Sequence, residues 1–257
     1  QLRAELQNAD LDEKADYMPE PAASSLIMML GLALTQAGTF GAAYEIVKEK
    51  AIFKRERAVN LRVGAYILSK VLVLGFFAVL QVFSVLLIIS LRVSLDFPPI
   101  FDILQWGALE LFVTLLIAVF ASIMLGLFIS AVVPSPDVVL YVILGQLFVQ
   151  IILSGTMFPL GENPAQKLVA SYWTVDAMGS TVDIRKLNQE SHVCTVVPTM
   201  EGQTDIKCNP TPRDQEELGL NYEHSMEHLL TAWGALLAQA VVWGGLTAVV
   251  QVRKKTA

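Results

Sequence analysis

The chain has 257 residues, of which 54% are hydrophobic and 16% charged, and its mean hydropathy is +0.54. These values exclude a core that water alone could surround, and fit an all-α polytopic membrane protein. The formal net charge of −6 sums over both sides of a membrane, so Lys and Arg have to be weighed loop by loop.

Residues 1–25 are polar and acidic, with Glu5, Asp10, Asp12, Glu13, Asp16 and Glu20 against Arg3 and Lys14. No basic region leads into a short apolar core, so this segment is not a signal peptide. Pro19 and Pro21 stop any amphipathic helix over the first dozen residues. A first span is expected over 26–43, carrying Thr35, Gln36 and Thr39. Polar side chains inside a span face other helices or a water-filled path, because lipid offers them no partner. Both readings stay open.

A charged segment, 45–62, lies between two membrane-length apolar runs. Wound as a connecting helix over 44–62, it sets Ile46, Phe53 and Leu61 in an apolar stripe beside a mostly basic face, which suits a helix lying along the membrane surface. It is either a juxtamembrane loop that holds the positive side in the cytosol or a lever that a cytosolic motor pushes. The second span, 63–89, has Tyr66, Ser69 and Lys70 near its start, with Lys70 close enough to the interface to snorkel.

Asp96 and Pro98-Pro99 make 92–102 a short loop. The third span, 104–132, has Trp106 at its entrance and Glu110 one turn inside. An intramembrane carboxylate is a functional candidate; the other reading is one reached by water or paired with Arg92. Pro134-Ser135-Pro136-Asp137 is a tight turn in which Asp137 can cap the fourth span, 138–158. That span carries Tyr141, Gln146, Gln150 and Ser154 and breaks at Gly155 and Pro159, as a path-lining helix would. Interhelical packing is the alternative.

The polar stretch that follows holds Cys194 and Cys208, with thirteen residues between them. Oxidised, they close a loop worth about 3 kcal/mol, in an oxidising compartment; two free thiols are the other reading. Before them, 164–179 is half apolar, with Tyr172 and Trp173, and suits a segment dipping back into the outer leaflet. The last span, 229–252, carries Trp233 and Trp243 and ends on Arg253-Lys254-Lys255. At its entrance His224, Glu227 and His228 share one helical face with metal-ligand spacing. No third and fourth ligands accompany them, so no metal site is assigned.

Residues 44–70 hold seven Lys/Arg and three acids, and the C-terminal tail adds three Lys/Arg. Residues 161–228 hold five against eleven, and 1–25 two against six. The positive-inside rule then puts the connecting helix, the Pro-Ser-Pro turn and the C-terminus in the cytosol. The external parts are the acidic segment 1–25 and the loop domain 161–228. Spans one to four with the connecting helix occupy 26–160, and the last span with its basic tail 229–257. Five spans join these sides, and an external cysteine pair agrees with a disulfide.

The pattern Glu45-x-x-x-Glu49-x-x-Ile52-Phe53-x-Arg55-Glu56, with Tyr66 and Lys70 entering the next span, resembles the permease half of an ABC-2 type transporter of the ABCG (White) type. Ser154-Gly155-Thr156-Met157-Phe158-Pro159 before a large external loop extends the likeness to about 25–255. The resemblance implies a six-span permease, its first span absent here, working as a dimer in a bacterial inner or plasma membrane. Glu45, Lys48, Glu49, Ile52, Phe53, Arg55, Glu56 and Arg57 would form its coupling helix. Thr35, Gln36, Thr39, Leu144, Phe148 and Ile151 would line the path between protomers, and Ser154, Gly155, Thr156 and Met157 the outer gate. Thr156 departs from the bulky apolar residue usual there.

No G-x-x-x-x-G-K-[ST] phosphate loop occurs, so the chain itself cradles no cofactor. ATP and Mg2+ would sit on an ABC ATP-binding domain, fused upstream or separate; the other expected partners are a second permease copy and membrane lipids, and no nucleic acid. The expected activity is ATP-driven export of lipid-like or amphipathic cargo by alternating access. The alternative is a motor-less structural or assembly subunit that keeps the permease fold. An intramembrane hydrolase using His224 and His228 lacks a paired nucleophile.

Overall fold

The computed structural model describes residues 20–58, 62–92, 107–155, 163–183, 192–198, 204–210 and 222–253. Helix α1, Glu20–Ala43, starts with Pro21 in its first turn, where a missing N–H costs nothing. The chain then departs from the single connecting helix expected over 44–62. Residues 44–49 form a turn and Lys50–Ala58 is helical, as α2, while 59–61 lie outside the described residues. Glu45, Lys48 and Glu49 therefore belong to a turn and not to a helix face.

Helix α3 spans Val63–Arg92 and α4 spans Gly107–Val132. Helix α5, Pro136–Leu153, begins two residues earlier than a cap at Asp137 requires. Ser135 holds the N-cap position with extended backbone, Pro136 opens the helix, and Asp137 lies in the first turn, where a negative charge suits the helix dipole. Gly155, at φ 77°, takes the left-handed conformation that stops α5. A short 3-10 turn, Gln166–Leu168, leads into α6, Ala170–Thr181, and α7 runs from Met226 to Arg253.

Among the described residues α3, α4, α5 and α7 are long and apolar enough to cross a membrane. The expected first span falls in α1, a helix of 24 residues. The bundle is built on α4. Of its spanning stretch 56% is buried, against 17% for α3, 17% for α5 and 22% for α7. Helix α1 lies tightly along α4: a Cβ at Gly126 would sit 2.5 Å from the Thr39 carbonyl oxygen and 2.8 Å from Ala42 Cβ. Small residues let backbones approach in this way where lipid supplies no hydrophobic drive between helices.

Helix α6 is buried around its whole circumference, from Ala170 to Thr181. Its Thr174, Val175 and Met178 side chains close on Gly31 of α1, so the half-apolar stretch noticed in the sequence does fold back into the bundle. Further along the same loop segment, β1, His192–Pro198, and β2, Thr204–Pro210, pair antiparallel.

Candidate functional site

The turn after α1 sits where the C-terminal ends of α1 and α4 meet the N-terminal ends of α3 and α5. Ala43 and Val47 pack with Ile129, Val133, Val139 and Ile143. The backbone amides of Ile46 and Val47 both donate to Ser130 Oγ, each at 2.9 Å. On the other side Lys70 Nζ donates to Glu45 Oε2 at 3.0 Å and to Glu49 Oε1 at 2.6 Å. Tyr66 donates its hydroxyl to Glu49 Oε2 at 3.0 Å. Lys48 also pairs with Glu45.

Burial pushes the Glu45 carboxyl up, but hydrogen bonds and charge from Lys48 and Lys70 outweigh it, so the group titrates below its ordinary value. Phe53 is buried with its ring 4.7 Å from that of Tyr66, so α2 is anchored to α3 by an aromatic pair. Ile52, Arg55 and Glu56 remain exposed on α2. The Arg57 side chain lies outside the described residues.

This arrangement joins α3, through ionic and aromatic contacts, to α4 and α5, through buried neutral ones. A force applied at α2 has a contact path to each.

The expected path residues fall into two groups. Thr35, Gln36 and Thr39 are buried within the bundle. Thr35 and Thr39 donate to carbonyls one turn back in α1, and Thr39 Oγ1 also lies 3.4 Å from the Ser122 carbonyl oxygen. Gln36 Nε2 approaches Gln150 Oε1 at 3.5 Å. Leu144 and Phe148, in contrast, are exposed on α5, and Ile151 is half-buried. The Gln36 Oε1 atom and both Gln146 amide atoms are buried with no hydrogen-bond partner among the described residues.

Of the gate residues, Ser154 is buried and donates to the Ile151 carbonyl at 2.8 Å, next to Gly155. Thr156 and Met157 lie outside the described residues. In the strand pair Cys194 stands directly opposite Cys208. Opposed antiparallel residues have Cα atoms about 4.5–5.5 Å apart, inside the range a disulfide spans.

At the opposite end of the bundle, His228 Nε2 lies 2.9 Å from Asp176 Oδ2 on α6. His224 Nδ1 donates to the Ser180 carbonyl at 2.8 Å. The two histidines are thus engaged by α6, and no group of three metal-binding side chains occurs among the described residues. Tyr222 covers Gly179, where a Cβ would meet its ring at 2.1 Å. Burial and the Asp176 carboxylate push the Tyr222 phenol up. Glu110 is fully buried in the first turn of α4.

Sequence reasoning missed Ser130, Asp176 and Tyr222. A serine in an apolar helix carries no signal of a partner 84 residues away. The spacing of His224 and His228 was the available hint to Asp176.

A family model described as ABC-2 type transporter matches residues 6–178. The ABC transporter ATP-binding/permease protein of Mycobacterium tuberculosis is 31% identical over 167 residues, covering 63% of this chain. The match spans 19% of that relative's own length.

Proposed function

The chain belongs to the ABC-2 type transporter family and is an integral-membrane transport permease, and on that premise we propose that it is the moving half of an ATP-driven exporter of ABCG type. The observation that carries this reading is the double engagement of Lys70 by Glu45 and Glu49, which ties the turn after α1 to the start of α3. The relative's name joins an ATP-binding part to a permease part, which supports an ABC ATP-binding domain as the partner pushing on α2.

In this reading α1 makes a fifth crossing. The turn, α2 and the end of α7 face the cytosol, and α6 with 192–210 faces outward. The exposed apolar side of α5, with Leu144 and Phe148, meets a second copy, and the path between copies takes Ile151 together with Thr35, Gln36 and Thr39 of α1. Gln36 and Gln146 bring amide atoms without a hydrogen-bond partner among the described residues, and these suit an amphipathic, lipid-like cargo moved by alternating access. Ser154 to Met157 form the outer gate. Cys194 and Cys208 form a disulfide, supported by their register across the ladder.

The test uses the intact transporter with its ATP-binding partner in inverted vesicles, with a short-chain fluorescent phospholipid as probe. ATP-dependent uptake is expected, and Lys70→Gln should lower it about tenfold, equivalent to roughly 1.4 kcal/mol, with ATP hydrolysis retained. Absence of an ATPase subunit from the purified complex would instead favour the motor-less structural subunit.

A further inference from the structure

The turn 44–49 has a gap in its backbone hydrogen bonding. The amides of Glu45, Lys48, Glu49 and Lys50 donate to carbonyls three or four residues back. Those of Ile46 and Val47 donate instead to one side-chain oxygen, Ser130 Oγ. A hydroxyl has two acceptor lone pairs, and both are used here. Ser130 is 1% exposed, so bulk water does not reach it where it holds these two donors. A buried N–H left without an acceptor is costly, and this fastening therefore resists being pulled apart.

Around the hydroxyl, Ala43 and Val47 pack on Ile129 and Val133, and Lys50 Nζ donates to the Pro134 carbonyl at 3.1 Å. All of these contacts go to α4 and the start of α5. Beside the Phe53–Tyr66 ring pair, the contacts of the turn itself to α3 are of another kind. The Glu45, Glu49 and Lys70 side chains are 16–31% exposed, where water can take over each charge as the pair opens.

We infer that Ser130 is a positioning residue that makes the turn and the end of α4 move as one piece, so that a push on α2 enters the core through α4 while the ionic contacts of the turn to α3 open and remake. This rests on the permease reading above, and assigns within it the helix that receives the force. Helix α4 is also the most buried of the four spanning candidates, so its displacement would reach α1, α6 and α7 together.

The test is amide hydrogen exchange on the intact transporter with its ATP-binding partner in lipid nanodiscs, with and without a non-hydrolysable ATP analogue. In the wild type the analogue is expected to change protection both in 50–58 and in 129–143. Ser130→Cys replaces the hydroxyl by a weak acceptor of similar size. It should keep the change in 50–58, abolish that in 129–143, and speed exchange at Ile46 and Val47 by roughly five- to a hundredfold. Ser130→Thr keeps the hydroxyl and should restore the wild-type response. Ser130→Ala carries the same expectations as Ser130→Cys and replaces it should that variant not fold.

A residue that merely stabilised the fold would shift exchange equally in both nucleotide states. A nucleotide response at 129–143 that survives in Ser130→Cys or Ser130→Ala overturns the inference alone. A wild type with no nucleotide response anywhere overturns the inference and the transport reading together.

Discussion

At one end of the bundle Lys70 holds Glu45 and Glu49 with side chains that are 16–31% exposed; at the other, the Asp176 carboxylate that faces His228 is 0% exposed. Both ends tie a loop to the helical core, but under different dielectric conditions. A wet ion pair gains little over hydration and can be exchanged for water at small cost. A contact to a fully buried carboxylate is costly to break, because the carboxylate left behind stays out of water. The ionic contacts between the turn and α3 are therefore exchangeable, beside the buried Phe53–Tyr66 ring pair that holds α2, whereas α6 and residues 222–228 are locked in place. In the proposed reading, a permease that takes a push at one end and keeps its other end in register has use for both.

The contrast can be broken most severely at the locked end. His228→Ala removes a partner of Asp176 and should lower stability by about 3 kcal/mol, read as a drop in the thermal unfolding temperature in detergent. Equal stability of His228→Ala and wild type would remove the distinction between the two ends. Gly179→Ala should cost about 2 kcal/mol through overpacking against Tyr222, and a smaller Tyr222→Leu ring replacement should recover part of that loss in the same measurement.

Lys70→Gln, at the reversible end, should cost less than about 1 kcal/mol of stability despite its large expected effect on transport. Salt sharpens the same point. Raising ionic strength to about 1 M shortens the screening length to roughly 3 Å, and should loosen exchange protection in 44–58 while leaving 222–228 unchanged.

The smallest effect concerns pH. Glu45 titrates below its ordinary value of 4.5. A depressed carboxyl contributes stability that is full above that value and is lost as pH falls through its lower, folded value. Acidification below about pH 4.5 should therefore weaken the turn, and Glu45→Gln should flatten that part of the pH profile of protection in 44–58. Constant protection down to pH 3 would show that Ser130 alone holds the turn.

Much of this was legible before any coordinates. Apolar runs bounded by Pro98-Pro99, Pro134-Ser135-Pro136 and Arg253 located α3, α4, α5 and α7 to within a few residues, because a membrane forces long uninterrupted helices. The half-apolar 164–179 stretch stood out from the polar loop around it, and α6 overlaps it. The break at 44–49 was not legible, since Tyr44 to Arg57 reads as a continuous helix by periodicity. It opens because Ser130 takes two amides that a helix would have used internally.

Local composition determined which segments enter the membrane, since transfer of backbone and side chains into lipid depends on each segment by itself. Tertiary structure decided which polar residues within those segments find each other. Lys70 with Glu45 and Glu49, Ser130 with Ile46 and Val47, and Asp176 with His228 are joined by distances through space. A hydroxyl or carboxylate inside a span must be paired by something, but the neighbour that pairs it is set by how the helices cross, and that crossing depends on close approaches such as Gly126 against Thr39.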